Sequence, residues 1–175
     1  MAKDWDGNKR STFVCLGASN HTDKEREVND FYATEPSAID SLLAACSFFP
    51  NHVWECACGK GHLSERLKSF GFDVTSSDVV DRGYGAVCDF LKADELPYEK
   101  ECCIITNPPY KYATEFVLHA MDLLHDGQFC AMFLKTTFLE GQSRYERIFK
   151  HYPPPIHLPV QEACSMRNKR RVWRH

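Results

Sequence analysis

Apolar positions follow two rhythms along this chain, and their alternation predicts its elements. From Pro36 to Phe48, residues Ile39, Leu42, Leu43 and Cys46 recur at helical spacing, with Pro36 near the start where its missing N–H costs nothing. Four short apolar runs predict strands at Asn51 to Cys56, 72–77, 84–88 and 102–106, and a crossover helix fills 62–70. A second amphipathic helix is expected from Thr114 to Leu124, with Phe116, Val117, Ala120, Leu123 and Leu124 inward and Gly127 as the stop. Gln128 to Phe138 is almost continuously apolar and predicts a strand buried inside a parallel sheet. Arg144 to Lys150 adds a short helix, which the prolines 153–155 end. Residues 1–29 are polar and mixed in charge without sustained periodicity, so a mobile arm is expected there.

Strands alternating with helices imply an α/β fold: a three-layer sandwich with a mostly parallel central sheet and right-handed crossovers. In such a sheet the carboxyl ends of the first and fourth strands lie side by side. After the fifth strand, only Ile156-His157-Leu158-Pro159-Val160 offers one further strand.

Candidate chemistry sits where those strands end. Cys102-Cys103-Ile104-Ile105-Thr106 runs directly into Asn107-Pro108-Pro109-Tyr110. Two prolines remove two backbone donors, fix φ twice and push Asn107 out of the helical region. The Asn107 amide and the Pro108 carbonyl can then aim two acceptors at one spot beside the Tyr110 ring. Acceptors on both hydrogens of a conjugated amino group leave more lone-pair density on its nitrogen, which suits methylation of a planar amine. Taken alone, the tetrapeptide serves equally as a Pro-Pro turn.

Upstream, Val53-Trp54-Glu55-Cys56-Ala57-Cys58-Gly59-Lys60-Gly61 has the form of a strand followed by a glycine turn and a helix. Glu55 stands at the strand's carboxyl end, where doubly wound folds bind nucleotide-like ligands, and Gly59 and Gly61 permit close backbone approach. The third glycine of the dinucleotide fingerprint is absent, so a structural turn explains this stretch as readily as a site does. Asp78 ends the next strand at the distance expected of a ribose-binding acid, although a turn or cap role is equally ordinary for Asp. Asp89-Phe90 offers an acid and an aromatic ring for an adenine.

Taken in order, these residues resemble the S-adenosylmethionine-dependent amino-methyltransferases, in particular the DNA adenine-N6 methyltransferases with gamma-type motif order. The resemblance runs from about Asp30 to Glu140. It implies a Rossmann-like methyltransferase fold with a domain over 30–166 and a sheet that usually finishes in a two-strand hairpin, so either the sheet is trimmed there or the natural protein continues beyond residue 175, and the second is expected. Asp30 to Pro36 corresponds to the motif that closes over the methionine part of the cofactor, with Phe31, Tyr32 and Thr34 in contact. Glu55, Ala57, Gly59 and Gly61 correspond to the glycine-rich motif, Asp78 to the ribose acid, and Asp89 and Phe90 to the adenine pair. Asn107, Pro108, Pro109 and Tyr110 match the catalytic motif letter for letter. The implied activity is methyl transfer to the exocyclic N6 of an adenine flipped out of DNA. The same tetrapeptide occurs in protein glutamine-N5 and RNA guanine-N2 methyltransferases, which stay open as alternatives, as does a non-catalytic cofactor-binding subunit or remnant. No stretch has room for a target-recognition domain, so a specificity subunit or a loosely specific activity is expected.

Composition changes this picture only at the edges. With 175 residues, 43% hydrophobic and 26% charged, the chain fits one ordinary core. No apolar run approaches the roughly 18 residues that span a bilayer, and no signal-peptide core follows the charged N-terminus, so no membrane partner and a cytoplasmic location are expected. Nine cysteines without C-x-x-C pairing read as reduced, buried apolar residues. His52, His62, His119 and His125 carry no metal-ligand spacing, and no metal is expected. The net charge of −3 does not favour wrapping nucleic acid, but the tail 167–175 holds five Lys or Arg, with Lys169, Arg170 and Arg171 as phosphate contacts. Lys135, Arg144, Arg147 and Lys150 form a second, weaker basic cluster.

Overall fold

The computed structural model describes residues 36–46, 49–98, 101–156 and 158 of the chain. Helix α1 (Pro36–Ala45) leads into strand β1 (His52–Glu55), helix α2 (His62–Ser69), strands β2 (Asp73–Asp78) and β3 (Ala86–Val87), and strand β4 (Cys102–Thr106). Helix α3 (Ala113–Leu123), strand β5 (Phe129–Met132) and the short helix α4 (Gln142–Arg144), which passes into a π-helical turn over Tyr145–Phe149, complete it. The five strands form one sheet in the order β3-β2-β1-β4-β5, and every pairing is parallel. Among the described residues no helix is long and apolar enough to cross a membrane.

Side-chain alternation along β1 and β4 divides the core between the two faces of the sheet. Val53, Cys103 and Ile105 pack with Ile39 of α1 and with Leu63 and Leu67 of α2. Trp54, Cys102 and Ile104 face the other way, onto Phe90 and onto Phe116, Ala120 and Leu123 of α3. Helices thus cover both faces, which is what lets β4 be buried at all five of its residues. Polar contacts tie neighbouring elements within each layer: the Trp54 indole of β1 donates to the Ser77 hydroxyl of β2 at 2.9 Å, and Arg66 of α2 donates twice to Asp40 of α1 at 2.8 Å. Two of the histidines are structural, His52 stacking on Tyr98 with its Nδ1 3.0 Å from Asp73, and His119 lying 3.0 Å from the Ala93 carbonyl.

Several expected elements differ from what forms. The fifth strand covers Phe129–Met132, not Gln128 to Phe138, and it is a half-buried edge strand. Its last ladder contact is Phe133 N–H to the Thr106 carbonyl at 3.0 Å. Beyond it the neighbouring chain turns through Pro108 and Pro109, which have no N–H to offer, so Thr136–Leu139 coils into a 3-10 turn instead. The third strand shrinks to Ala86–Val87 because it pairs only with the tip of β2. Helix α3 ends at Leu123, ahead of Gly127, whose φ of 86° shapes the turn into β5. Neither Ile156 nor Leu158 lies in a strand.

Candidate active site

Because all five strands run the same way, the loops that follow β2, β1, β4 and β5 emerge at one edge. The order 3-2-1-4-5 reverses direction between β1 and β4, and that switch point is where open α/β sheets leave a crevice. Glu55 ends β1 at that switch point and Asn107 follows β4 there, on strands that pair in register from His52↔Cys102 to Trp54↔Ile104.

Glu55 is buried, and the Ser64 hydroxyl of α2 donates to its Oε2. Ser64 also lies 2.6 Å from the Ser76 hydroxyl on β2. Burial pushes the Glu55 carboxyl up to about 8; hydrogen bonds from Ser64 pull it down and the Asp78 charge pushes it further up. It is an acid that holds its proton near neutrality unless a cation arrives.

Asp78 ties the glycine loop to β2. Its Oδ2 accepts from the Gly59 N–H at 2.8 Å and its Oδ1 from the Val80 N–H at 2.9 Å. The Cys58 N–H reaches the Ser77 carbonyl at 2.9 Å, so the loop is laced to β2 on consecutive residues. Gly59 has φ 55° and Gly61 φ 81°, the left-handed conformation that favours glycine. At Gly61 the close approach comes from the protein itself: a Cβ there would stand 2.5 Å from the Tyr84 ring. The Tyr84 hydroxyl donates to Glu65 at 2.6 Å and accepts from Lys68 at 2.9 Å, so Arg82-Gly83-Tyr84-Gly85 straps the start of α2. Sequence reasoning missed this strap, although a tyrosine flanked by two glycines was its signal.

Asp89 is brought to the same edge by the Cys88 N–H, which reaches the Asp78 carbonyl at 2.9 Å. Its carboxylate caps the 3-10 turn Phe90–Lys92 through Leu91 N–H at 3.2 Å and pairs with Lys92 at 2.9 Å. Phe90, expected to offer its ring to an adenine, is 1% exposed. Its ring packs on Trp54, Phe116 and His119 at centroid distances of 5.2, 4.8 and 5.0 Å, so it belongs to the core in this structure and the edge presents Asp89. Ala57 is half-buried and packs against that same core.

On the other side of the crevice Pro108 is fully buried, while Asn107, Pro109 and Tyr110 are half-buried. The Pro109 carbonyl accepts from the Tyr112 N–H at 2.9 Å, so the chain coils at once through Tyr110–Tyr112 into α3. The Lys135 ammonium lies 4.7 Å from the centroid of the Tyr110 ring. The thiols next to Glu55 are not nucleophiles, since burial raises Cys56 well above its ordinary value and pushes Cys58 up to about 12.

No family model and no curated protein matches this chain.

The weaker basic cluster does not act as one patch. Arg144 donates to the carbonyls of Phe138 at 2.7 Å, Thr137 at 3.1 Å and Glu140, and Lys150 pairs with Glu146 at 3.1 Å. Phe31, Tyr32 and Thr34, the arm over 1–29, and the tail with Lys169, Arg170 and Arg171 lie outside the described residues.

Proposed function

We propose that this chain is an S-adenosylmethionine-dependent N-methyltransferase that modifies the exocyclic N6 of adenine in DNA. One observation carries the reading: β1 and β4 are parallel neighbours at the switch point and deliver Glu55 to Gly61 and Asn107 to Tyr110 to the same edge. The residues suit the cofactor. A buried carboxyl raised to about 8 is stabilised as a carboxylate by an ammonium, the group the methionine end carries. Asp78 and Asp89 are hydrogen-bond acceptors along the same edge, and each carboxylate oxygen can accept more than one bond.

When bound, S-adenosylmethionine supplies an electrophilic methyl group on a sulfonium centre. The chain does the rest by position. Tyr110 gives the flipped base a ring to stack on, and extrusion costs a few kcal/mol. Asn107 Oδ1 and the Pro108 carbonyl accept the two amino hydrogens, which orients the nitrogen and supports the positive charge that develops on it. Rigid support helps here, because β4 behind the turn is wholly buried and Pro108 cannot shift without disturbing it.

Transfer of tritiated methyl groups to unmethylated duplex DNA, with single-stranded DNA, ribosomal RNA and a release-factor protein in parallel, tests the reading. N6-methyladenine identified by mass spectrometry in DNA is expected. Label confined to protein or to guanine in RNA would replace the substrate, and binding of the cofactor with no transfer to any of them would make the chain a non-catalytic subunit.

A further inference from the structure

Lys135 follows β5 at the lip of the crevice, and its backbone is held from both sides. The preceding chain is laced to β4 through the Phe133 N–H and the Thr106 carbonyl at 3.0 Å. Its own carbonyl accepts from Phe138 N–H at 2.8 Å, which opens the 3-10 turn Thr136–Leu139. Arg144 secures the far end of that turn by donating to the carbonyls of Thr137, Phe138 and Glu140. The anchored backbone leaves the exposed side chain as the part that can move.

Its charge stands over an aromatic ring, as does that of Lys111 over Tyr112 at 5.1 Å. Lys68, Lys92 and Lys150 each pair with a carboxylate. Among the described residues Lys135 has no carboxylate partner; its ammonium stands over the Tyr110 ring. An exposed cation–π contact is weaker than the stacking of a nucleobase on an aromatic ring, so a base arriving at Tyr110 displaces the ammonium. A displaced, unpaired cation beside a stacked nucleotide meets the nearest anion, which is that strand's phosphate.

We propose that Lys135 is a positioning residue for a nucleic-acid strand: it covers the Tyr110 ring when no base is bound and contacts a backbone phosphate when a base stacks there. The inference rests on the reading that a nucleobase is the methyl acceptor. It assigns a phosphate contact to the catalytic edge itself, independent of the C-terminal tail.

Counterion release tests it without turnover. Binding of a fluorescein-labelled adenine-containing single-stranded oligodeoxynucleotide to the full chain is followed by anisotropy between 50 and 200 mM NaCl, for wild type, Lys135→Gln and Lys135→Arg. One phosphate contact contributes about 0.7 to the slope of log K against log salt on a single strand. Lys135→Gln is expected to lower the magnitude of the slope by about 0.7, Lys135→Arg to keep it, and thermal melting of all three to coincide. Equal slopes for wild type and Lys135→Gln overturn the role of Lys135 while leaving the methyltransferase reading intact. A wild-type chain that binds no oligonucleotide, DNA or RNA, overturns the nucleic-acid substrate and this inference with it.

Discussion

The two sides of the crevice are built differently. On the β1–β2 side the acids are inside the fold and already engaged: Glu55 takes the Ser64 hydroxyl, Asp78 takes two backbone N–H groups, and Tyr84 locks Gly61. On the β4–β5 side a buried strand ends in a half-buried turn, and the loops beyond it expose Tyr112, Leu139 and Tyr145. Its cation rests on a ring face instead of an acid. On the proposed reading the first side, with its polar groups already fixed by hydrogen bonds, holds the methyl donor, and the second, with more exposed side chains, receives the acceptor.

The sharpest test of that division is Asn107→Ala. We expect methyl transfer to fall by at least about 10³-fold, as for removal of an oriented polar group at the reacting atoms. Cofactor affinity measured by calorimetry should stay within about twofold of wild type. A variant that transfers at the wild-type rate removes Asn107 from the mechanism, and one that loses cofactor binding removes the division itself.

Next in size is a pH effect confined to the other side. Glu55 titrates at about 8 in the fold against an ordinary value of 4.5, because burial disfavours its charge. The folded state therefore holds a proton that the unfolded chain releases between those values. The stability from this group is fully present below about pH 4.5 and is lost as pH rises through about 8. Glu55→Gln should remove that decline, leaving the variant up to about 5 kcal/mol more stable than wild type above pH 8 and no different at pH 4. Urea unfolding across that range checks it. A wild-type profile without the decline would mean that the carboxyl is ionised and solvated in the native state.

Gly61→Ala probes the strap. The added methyl would meet the Tyr84 ring at 2.5 Å on a backbone with φ of 81°, and we expect a loss of about 2 kcal/mol in denaturant unfolding. Adding Tyr84→Ala should recover the steric part of the cost and leave the backbone part. Equal losses for the single and double variants would show that conformation alone requires the glycine.

The smallest effect is expected away from both sides. Asp40→Ala removes the pair with Arg66 across α1 and α2, whose side chains are 44% and 37% exposed. A loss below about 1 kcal/mol, with unchanged cofactor and oligonucleotide binding, is expected for a solvent-screened ion pair. A larger change in either binding would tie this helix pair to the crevice.

Much of the fold was legible because its strands are short apolar runs between turn residues. Cys102–Thr106 formed over the expected residues, and β1 and β2 formed within a residue of theirs. The apolar run after Gln128 misled, since periodicity cannot tell an inner strand from an edge strand followed by a packed turn. There Phe138 meets the ring of Phe149 at 6.0 Å instead of a sheet neighbour. In the site, Asn107 to Tyr110 and Glu55 to Gly61 were visible as residue types that suit a chemistry. Phe90 was not readable as a core residue, because its burial depends on Trp54 and Phe116, which lie far from it in the chain. Ser64 and Tyr84 were equally hidden, each acting on a loop that another segment supplies.

By itself the sequence determined which residue types suit the proposed chemistry and where the chain must turn. Those properties are local: φ restriction at two prolines, left-handed glycines, apolar runs of strand length. Tertiary structure alone decided which acid is buried, that the Phe90 ring goes into the core and that Lys135 stands over Tyr110. Burial and charge depend on distant segments arriving together, and a parallel sheet brings residues many positions apart to one edge.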